Sequence, residues 1–450
     1  MLATPAQTAF PPPHFPSEPN HHHHHPTDTD DPFQALHNSL ANLSLTAPAH
    51  PPPREIPTAT APPDQSPIRA TPLFPPGDNV VFAHSSFFRR RCGPSTSSSS
   101  SSPPAELPSP AQVRAQAAWL SIAAGNHDGG AGMEMDEFVG EGDGYGGAAG
   151  GGGVIVDEQA GAKTVPFAEL GLAVRYGPRV SAAEGKAMMF VRRTLGECYG
   201  AGDGGGAAAV VVPEVFGWRR DGETGERFVY MALPEGELLL GRWEGMAERE
   251  REAVCAQLKG VVAAWRRLRL DGVGFVGSVD NGPLQDALFQ GCRAAGAPPP
   301  GPFPTVSAFH DYFSSMAAAV SQSRYAGASG LQVQFRLQHL FPDNHPVAFT
   351  HGGLHPRNIV VSTGPNPRVV AIIGWEQAGW YPAYWELCKA RWDCARHGSL
   401  GDWERKYLPW ILDADGLQRE LPDWSVDSLC QYWGYFAGLL GQTGFQSGER

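Results

Sequence analysis

The sequence holds no uninterrupted apolar run of the roughly 18 residues that a membrane-spanning helix requires. Its first residues, MLATPAQTAFPPPHFPSEP, lack a basic segment followed by an apolar one. Neither a membrane span nor a secretory signal is therefore expected. Basic charge is also short: 34 Lys and Arg stand against 46 Asp and Glu, a formal net charge of −12. Binding a phosphate backbone needs a basic surface, so nucleic acid is not expected as a general partner. Cysteine is sparse and scattered. Cys92, Cys198, Cys255, Cys292, Cys388, Cys394 and Cys430 form no CxxC pair and no zinc-ligand spacing. Such a set fits buried free thiols in a reducing compartment better than a disulfide framework. The expectation is a soluble, cytoplasmic protein.

Glycine and proline are abundant instead, with 54 and 42 copies concentrated in a few stretches. Residues 1–78 are rich in Pro, His, Thr and Asp and show no apolar periodicity. They read as a disordered low-complexity tail, because they cannot bury enough surface to offset the entropy of ordering. Within it, His21–His25 is either a metal-binding run or plain low complexity, and the second reading is the simpler. ALHNSLANLSL, Ala35–Leu45, has the pattern of a short partner-docking helix. Residues 79–124 form an N-terminal extension. Arg89–Arg91 is too short to make a nucleic-acid patch. After the serine run Ser97–Ser102, LPSPAQVRAQAAWLSIAAG carries a helix start: Ser109 caps, Pro110 suits the first position, and Val113, Ala117 and Leu120 share a docking face. Residues 125–153 are a glycine-rich, acidic insertion. GDGYGGAAGGGG looks like a phosphate-cradling loop, but it lacks the strand before and the helix after that such loops need.

Residues 154–235 read as a small β-rich lobe. VIV, LGLAVRYG and ERFVYMAL are strands, SAAEGKAMMFVRRTL is a helix between the last two, and VPEVFGWRRDGETGERFVYMAL makes a hairpin. A hinge follows near Met231–Gly236. Residues 236–450 read as a helical lobe. EREREAVCAQLKGVVAAWRRLR places Val254, Leu258, Val261, Trp265 and Leu268 on one stripe. TVSAFHDYFSSMAAAV and LQVQFRLQHLF continue the helices, and YPAYWELCKARWDCAR and SLCQYWGYFAGLLG close them. Between these pairs lies a catalytic-type segment, residues 349–376: the loop FTHGGLHPRN, then a hairpin of Ile359–Val361 and Val369–Ile373 around STGPNPR. The fold class is α+β.

An active-site loop leading into a short hairpin, on a helical lobe behind a β lobe, is a phosphoryl-transfer layout. FTHGGLHPRNIVV with VVAIIGWEQAGWYPAYWELCKA resembles the aminoglycoside phosphotransferase / choline-kinase-like family, most of all its fungal members. LPSPAQVRA, GLAVRYG and PEVFGW add to the likeness. The resemblance implies a protein-kinase-like two-lobed fold that uses ATP and Mg²⁺. In that family the loop reads H-G-D-x-x-x-x-N and the hairpin ends I-I-D-W-E. By this resemblance His351 braces the loop and Asn358 holds metal. Glu184 pairs with a strand lysine, which is Arg175 here. Arg175, Glu184 and the hinge residue Met231 lie on the cofactor side. The family's catalytic aspartate is Gly353, and its metal aspartate is Gly374.

Two acids are thus missing together. Losing a positioned general base costs on the order of 10²- to 10⁴-fold in rate. Losing a hard oxygen ligand undermines Mg²⁺ as well. Arg at the lysine position keeps the charge but not the point-charge geometry. His355 and Glu376, each two residues past a glycine, are candidate substitutes for the base and the metal ligand. If Glu376 continues the strand, it faces the same way about 6–7 Å further on. Trp375, Trp380, Tyr381, Tyr384 and Trp385 form either a ligand-stacking box or core, and core is the commoner use of such aromatics. The expectation is a pseudokinase with at most weak, metal-independent binding of nucleotide or small molecule. The alternative is an active ATP-dependent O-phosphotransferase using substitute residues. Its partner would be a small-molecule hydroxyl compound, or else a protein; no membrane partner is expected.

Overall fold

Alternating burial along short β-branched runs builds the first half of the molecule. The computed structural model describes residues 67–70, 72–91, 106–125, 155–157, 161–198, 211–270, 274–294, 297–325, 341–397 and 401–441. All of them lie in one unit, Asp64–Arg450. The strands are β1 (Ile68–Ala70), β2 (Val80–Val81), β3 (Ile155–Asp157), β4 (Ala162–Phe167), β5 (Leu172–Gly177), β6 (Val215–Arg220) and β7 (Arg227–Ala232). Six of them form an antiparallel sheet in the order β2-β6-β7-β5-β4-β3. Period-two alternation sends Ala173, Val229 and Met231 to the main core, which includes Ala187, Phe190, Val191 and Leu195 of the helix Ala182–Cys198. Leu172, Val174, Tyr176, Phe228 and Tyr230 go to a second cluster on the other face.

The helix Pro110–Gly125 covers that second face with Val113 and Ala117. Ser109 Oγ accepts the Gln112 N–H at 3.3 Å, while Gln112 Oε1 accepts the Ser109 N–H at 2.8 Å. This reciprocal cap starts the helix where the sequence signals it. Arg114 anchors it to the β6–β7 hairpin through Asp221 at 2.7 Å and Glu226 at 3.0 Å.

The remainder is helical around short sheets: β8 (Glu237–Leu238), β9 (Leu268–Leu270), β10 (Val347–Thr350), β11 (Ile359–Val361), β12 (Val369–Ile372) and β13 (Gly379–Pro382). The expected hairpin is β11–β12, and β8 adds a third strand to it. β10 and β13 pair antiparallel and bring the two ends of the catalytic-type segment together. The helices Glu248–Arg266, Val306–Tyr325, Trp385–His397 and Val426–Gly441 pack around them. The whole is an α+β architecture, a mainly antiparallel sheet followed by helices around short sheets. No helix among the described residues is long and apolar enough to cross a membrane.

Three local readings need correction. Order begins before the boundary at 78, because Ile68–Ala70 pairs in parallel with Leu268–Leu270. Leu268 is buried as expected, but in that strand, since the helix ends at Arg266. Strand β4 lies between β3 and β5, and its Lys163, Thr164 and Pro166 masked it in the sequence. His21–His25, Ala35–Leu45, Ser97–Ser102, the insertion from 126 to 153 and the LQVQFRLQHL helix fall outside the described residues.

Candidate active site

Strand β10 delivers the chain to His351, and the loop is then fixed by its own backbone amides. Glu386, at the start of the helix Trp385–His397, accepts the N–H of His351 at 2.6 Å and of Gly352 at 3.0 Å. Burial raises the pKa of this carboxyl; those two amides and the nearby Arg266 and Lys389 charges oppose the rise. Gly352 is left-handed, with φ +78°, and a Cβ there would lie 2.9 Å from the Gln377 carbonyl oxygen. Only glycine fits without strain.

His351 is fully buried against Trp375, with ring centroids 4.5 Å apart. Its Nε2 donates to the Ile373 carbonyl at 3.0 Å, and its Nδ1 accepts the Gly353 N–H at 3.1 Å. Those partners set the Nε2–H tautomer and commit both nitrogens. Burial lowers its pKa to about 4, so the ring is neutral. His351 therefore ties the loop to the end of β12 and has no nitrogen left to receive a substrate proton. His355 caps the short turn Pro356–Asn358, where its Nδ1 accepts the Arg357 N–H at 3.3 Å. It is buried in that turn.

The two glycines converge on Asn358. Its Nδ2 donates to the Gly353 carbonyl at 2.8 Å. Gly374 is left-handed, with φ +78° and ψ +46°, and a Cβ built on it would lie 2.9 Å from Cγ, Nδ2 and Oδ1 of Asn358. A Cβ on Gly353 would lie 3.2 Å from the same Nδ2. The Asn358 amide thus occupies the volume that a side chain at 374 would need and crowds one at 353.

Arg175, on β5, is flanked by two carboxylates: Glu184 at 3.3 Å and Glu376 at 3.7 Å. The helix Ala182–Cys198, strand β5 and the turn after β12 meet at this guanidinium. Glu376 sits in the 3₁₀ turn Trp375–Gln377. This corrects the strand-continuation reading: the left-handed Gly374 ends the strand, so Glu376 does not repeat its face. Met231 is buried in the main core opposite Ala173. Trp375, Trp380, Tyr381, Tyr384 and Trp385 are all buried at 2% exposure or less, which makes them core.

Sequence reasoning missed the buried ionic support. Lys389 Nζ lies 2.6 Å from Asp286 Oδ2 and donates to Gln377 Oε1, also at 2.6 Å. The same Gln377 oxygen accepts the Ala287 N–H, and the Trp385 indole donates to Asp286. The available signal was WELCKARW, where charged residues stand among aromatics on a core helix. Buried charges survive only when paired.

The residues do not fit a Mg²⁺ ion. Mg²⁺ demands hard oxygen ligands in near-octahedral geometry. The two implied ligand positions supply one neutral amide oxygen, on Asn358, and no carboxylate. Glu376 is engaged by Arg175 instead. Among the described residues, no group of three or more His, Cys, Asp or Glu is arranged to hold a metal.

Residues 201–414 match the phosphotransferase enzyme family. Similar solved structures include a thermostable mutant of aminoglycoside phosphotransferase APH(4)-Ia in its apo form, 17% identical with a TM-score of 0.31, covering 64% of this chain and 92% of that one. Aminoglycoside-3'-phosphotransferase of type VIII is 14% identical with a TM-score of 0.38, covering 64% and 93%. The enzyme APH(3'')-Id from Streptomyces rimosus is 15% identical with a TM-score of 0.36, covering 64% and 92%. No curated protein sequence matches the chain.

Proposed function

We propose that this chain, which carries a kinase-like domain of the phosphotransferase enzyme family, is a pseudoenzyme with at most weak, metal-independent binding of a nucleotide or other small molecule. The observation that carries this reading is the Asn358 side chain, which fills the space a Cβ on Gly374 would take and is hydrogen-bonded to the Gly353 carbonyl. Phosphoryl transfer depends on positioning and on neutralising charge at the transferred group. Here the cation implied for the phosphates, Arg175, already faces two carboxylates. A polyphosphate has to compete with Glu376 for it, and no metal offsets that competition. The acceptor hydroxyl finds neither a carboxylate at 353 nor an uncommitted nitrogen on His351. The scaffold then serves as a binding module for a small hydroxyl compound or a protein.

Thermal-shift titration with ATP, with and without Mg²⁺, tests the nucleotide part. A small stabilisation that Mg²⁺ does not enhance is expected. A large shift that requires Mg²⁺ would contradict the reading.

A further inference from the structure

The helices Trp385–His397 and Val426–Gly441 meet along an antiparallel seam with three rungs. Trp385 packs on Trp433 with ring centroids 4.9 Å apart. Cys388 Sγ contacts Cys430 Sγ at 3.4 Å. Arg391 is paired with Asp427 at 2.6 Å. Each step of three residues forward on the first helix is three residues back on the second. The outer rungs, one aromatic and one ionic, hold the two sulfurs of the middle rung in register.

We propose that Cys388 and Cys430 form a dithiol redox site that closes to a reversible disulfide under hydrogen peroxide. The sulfurs already touch. A disulfide bond is about 2.05 Å long, so closure from 3.4 Å needs about 1.4 Å of approach shared between two helices. The two thiols are also unlike. Cys388 is fully buried, while Cys430 is only partly covered. A hydrogen bond from the Cys388 thiol, helped by the Arg391 charge, lowers the Cys430 pKa against the opposing effect of burial. Burial pushes the Cys388 thiol up, which keeps its proton available for that bond. Cys255 and Cys394, by contrast, are buried thiols that desolvation pushes up.

The chemistry balances. The Cys430 thiolate attacks peroxide; an S–O bond forms, the O–O bond breaks, and hydroxide leaves and is protonated to water. Cys388 Sγ then attacks the sulfenic sulfur; the S–S bond forms, the S–O bond breaks, and hydroxide leaves with the Cys388 proton as a second water. The thiols lose two electrons, and peroxide is reduced to water. A dithiol reductant reverses the bond, as befits a transient disulfide in a reducing compartment. The consequence reaches the candidate site, because the first helix opens with Glu386, which holds the His351 and Gly352 amides. Oxidation staples that helix to its neighbour.

The test uses the full-length chain, treated with hydrogen peroxide, alkylated with N-ethylmaleimide, digested without reductant and mapped by mass spectrometry. The Cys388–Cys430 cross-link is expected first among all cysteine pairs and is lost on adding dithiothreitol. The oxidised chain should melt several degrees above the reduced one. Cys430→Ser should abolish both effects, and Cys388→Ser should leave a sulfenic acid at Cys430 that dimedone traps. Recovery of Cys388 and Cys430 as separately alkylated thiols from the peroxide-treated wild type would overturn the proposal. So would an equal melting gain in Cys430→Ser.

Discussion

Replacing Gly374 with alanine adds one methyl group at the point where the candidate site is tightest. An L-residue in the left-handed region costs about 1–2 kcal/mol, and Gly374 has φ +78°. The new Cβ would also lie 2.9 Å from three atoms of the Asn358 amide, a side chain held on the Gly353 carbonyl. Something must move, and Asn358 is the softer partner. Displacing it forfeits a hydrogen bond worth about 1 kcal/mol net, and more if the carbonyl is left dry. The sum is about 2–4 kcal/mol of destabilisation. Urea unfolding followed by tryptophan fluorescence measures it, with Trp375 and Trp265 beside the loop as reporters. Gly353→Ala is the control. Its backbone is not left-handed and its contact with Asn358 is 3.2 Å, so a cost within about 1 kcal/mol is expected. In an Asn358→Ala background the clash is gone, and Gly374→Ala should cost only the backbone share, giving a coupling of about 1–2 kcal/mol. Wild-type stability for Gly374→Ala, or an equal cost with and without the Asn358 side chain, would refute the reasoning.

Three more outcomes are expected. His351 and His345 each have a pKa lowered to about 4 by burial, from an ordinary value of 6.5. Between those values the unfolded chain binds protons that the folded chain does not, so their contribution is full above 6.5 and is lost as pH falls toward 4. For His351 that window amounts to about 3 kcal/mol. The urea midpoint should drop with pH through it, and the slope should shrink in His351→Gln. Glu386→Gln leaves one acceptor for two amides and aims an N–H₂ at the other; a loss of about 2–3 kcal/mol in urea unfolding is expected for breaking these charge-assisted bonds. Glu376→Gln removes one of the two carboxylates on Arg175 and should raise metal-free ATP affinity by up to about fivefold in calorimetry, the scale of a partly exposed ion pair.

Much of this fold was legible because its strands and helices obey local rules. LAVRYG and RFVYMA alternate cleanly between two clusters, and the stripe Val254, Leu258, Val261 and Trp265 repeats at helical spacing. Strand β1 was not legible, since its partner β9 lies far along the chain and three residues in a proline-rich stretch carry no period. Strand β4 hid behind Lys163, Thr164 and Pro166. At the site, the string HGGLHPRN marked the loop, and the resemblance implied a carboxylate where Gly353 stands; neither showed that the Asn358 amide seats between Gly353 and Gly374. The left-handed turn at Gly374 depends on the chain beyond it, and it sends Glu376 to Arg175 instead of along the strand. The seat of Asn358 between two glycines is likewise a tertiary fact. Glu386 and Lys389 were visible only as charges on an aromatic helix, and their partners come from remote segments.

The most direct measurement asks whether the chain retains a metal ion. Mn²⁺ shares the oxygen-ligand preference of Mg²⁺ and reports its surroundings by electron paramagnetic resonance. Titrated with ATP and the full-length protein, it should keep the spectrum of its free nucleotide complex. A stoichiometric, protein-broadened Mn²⁺ signal that disappears in Asn358→Ala would contradict the claim that this metal site does not assemble.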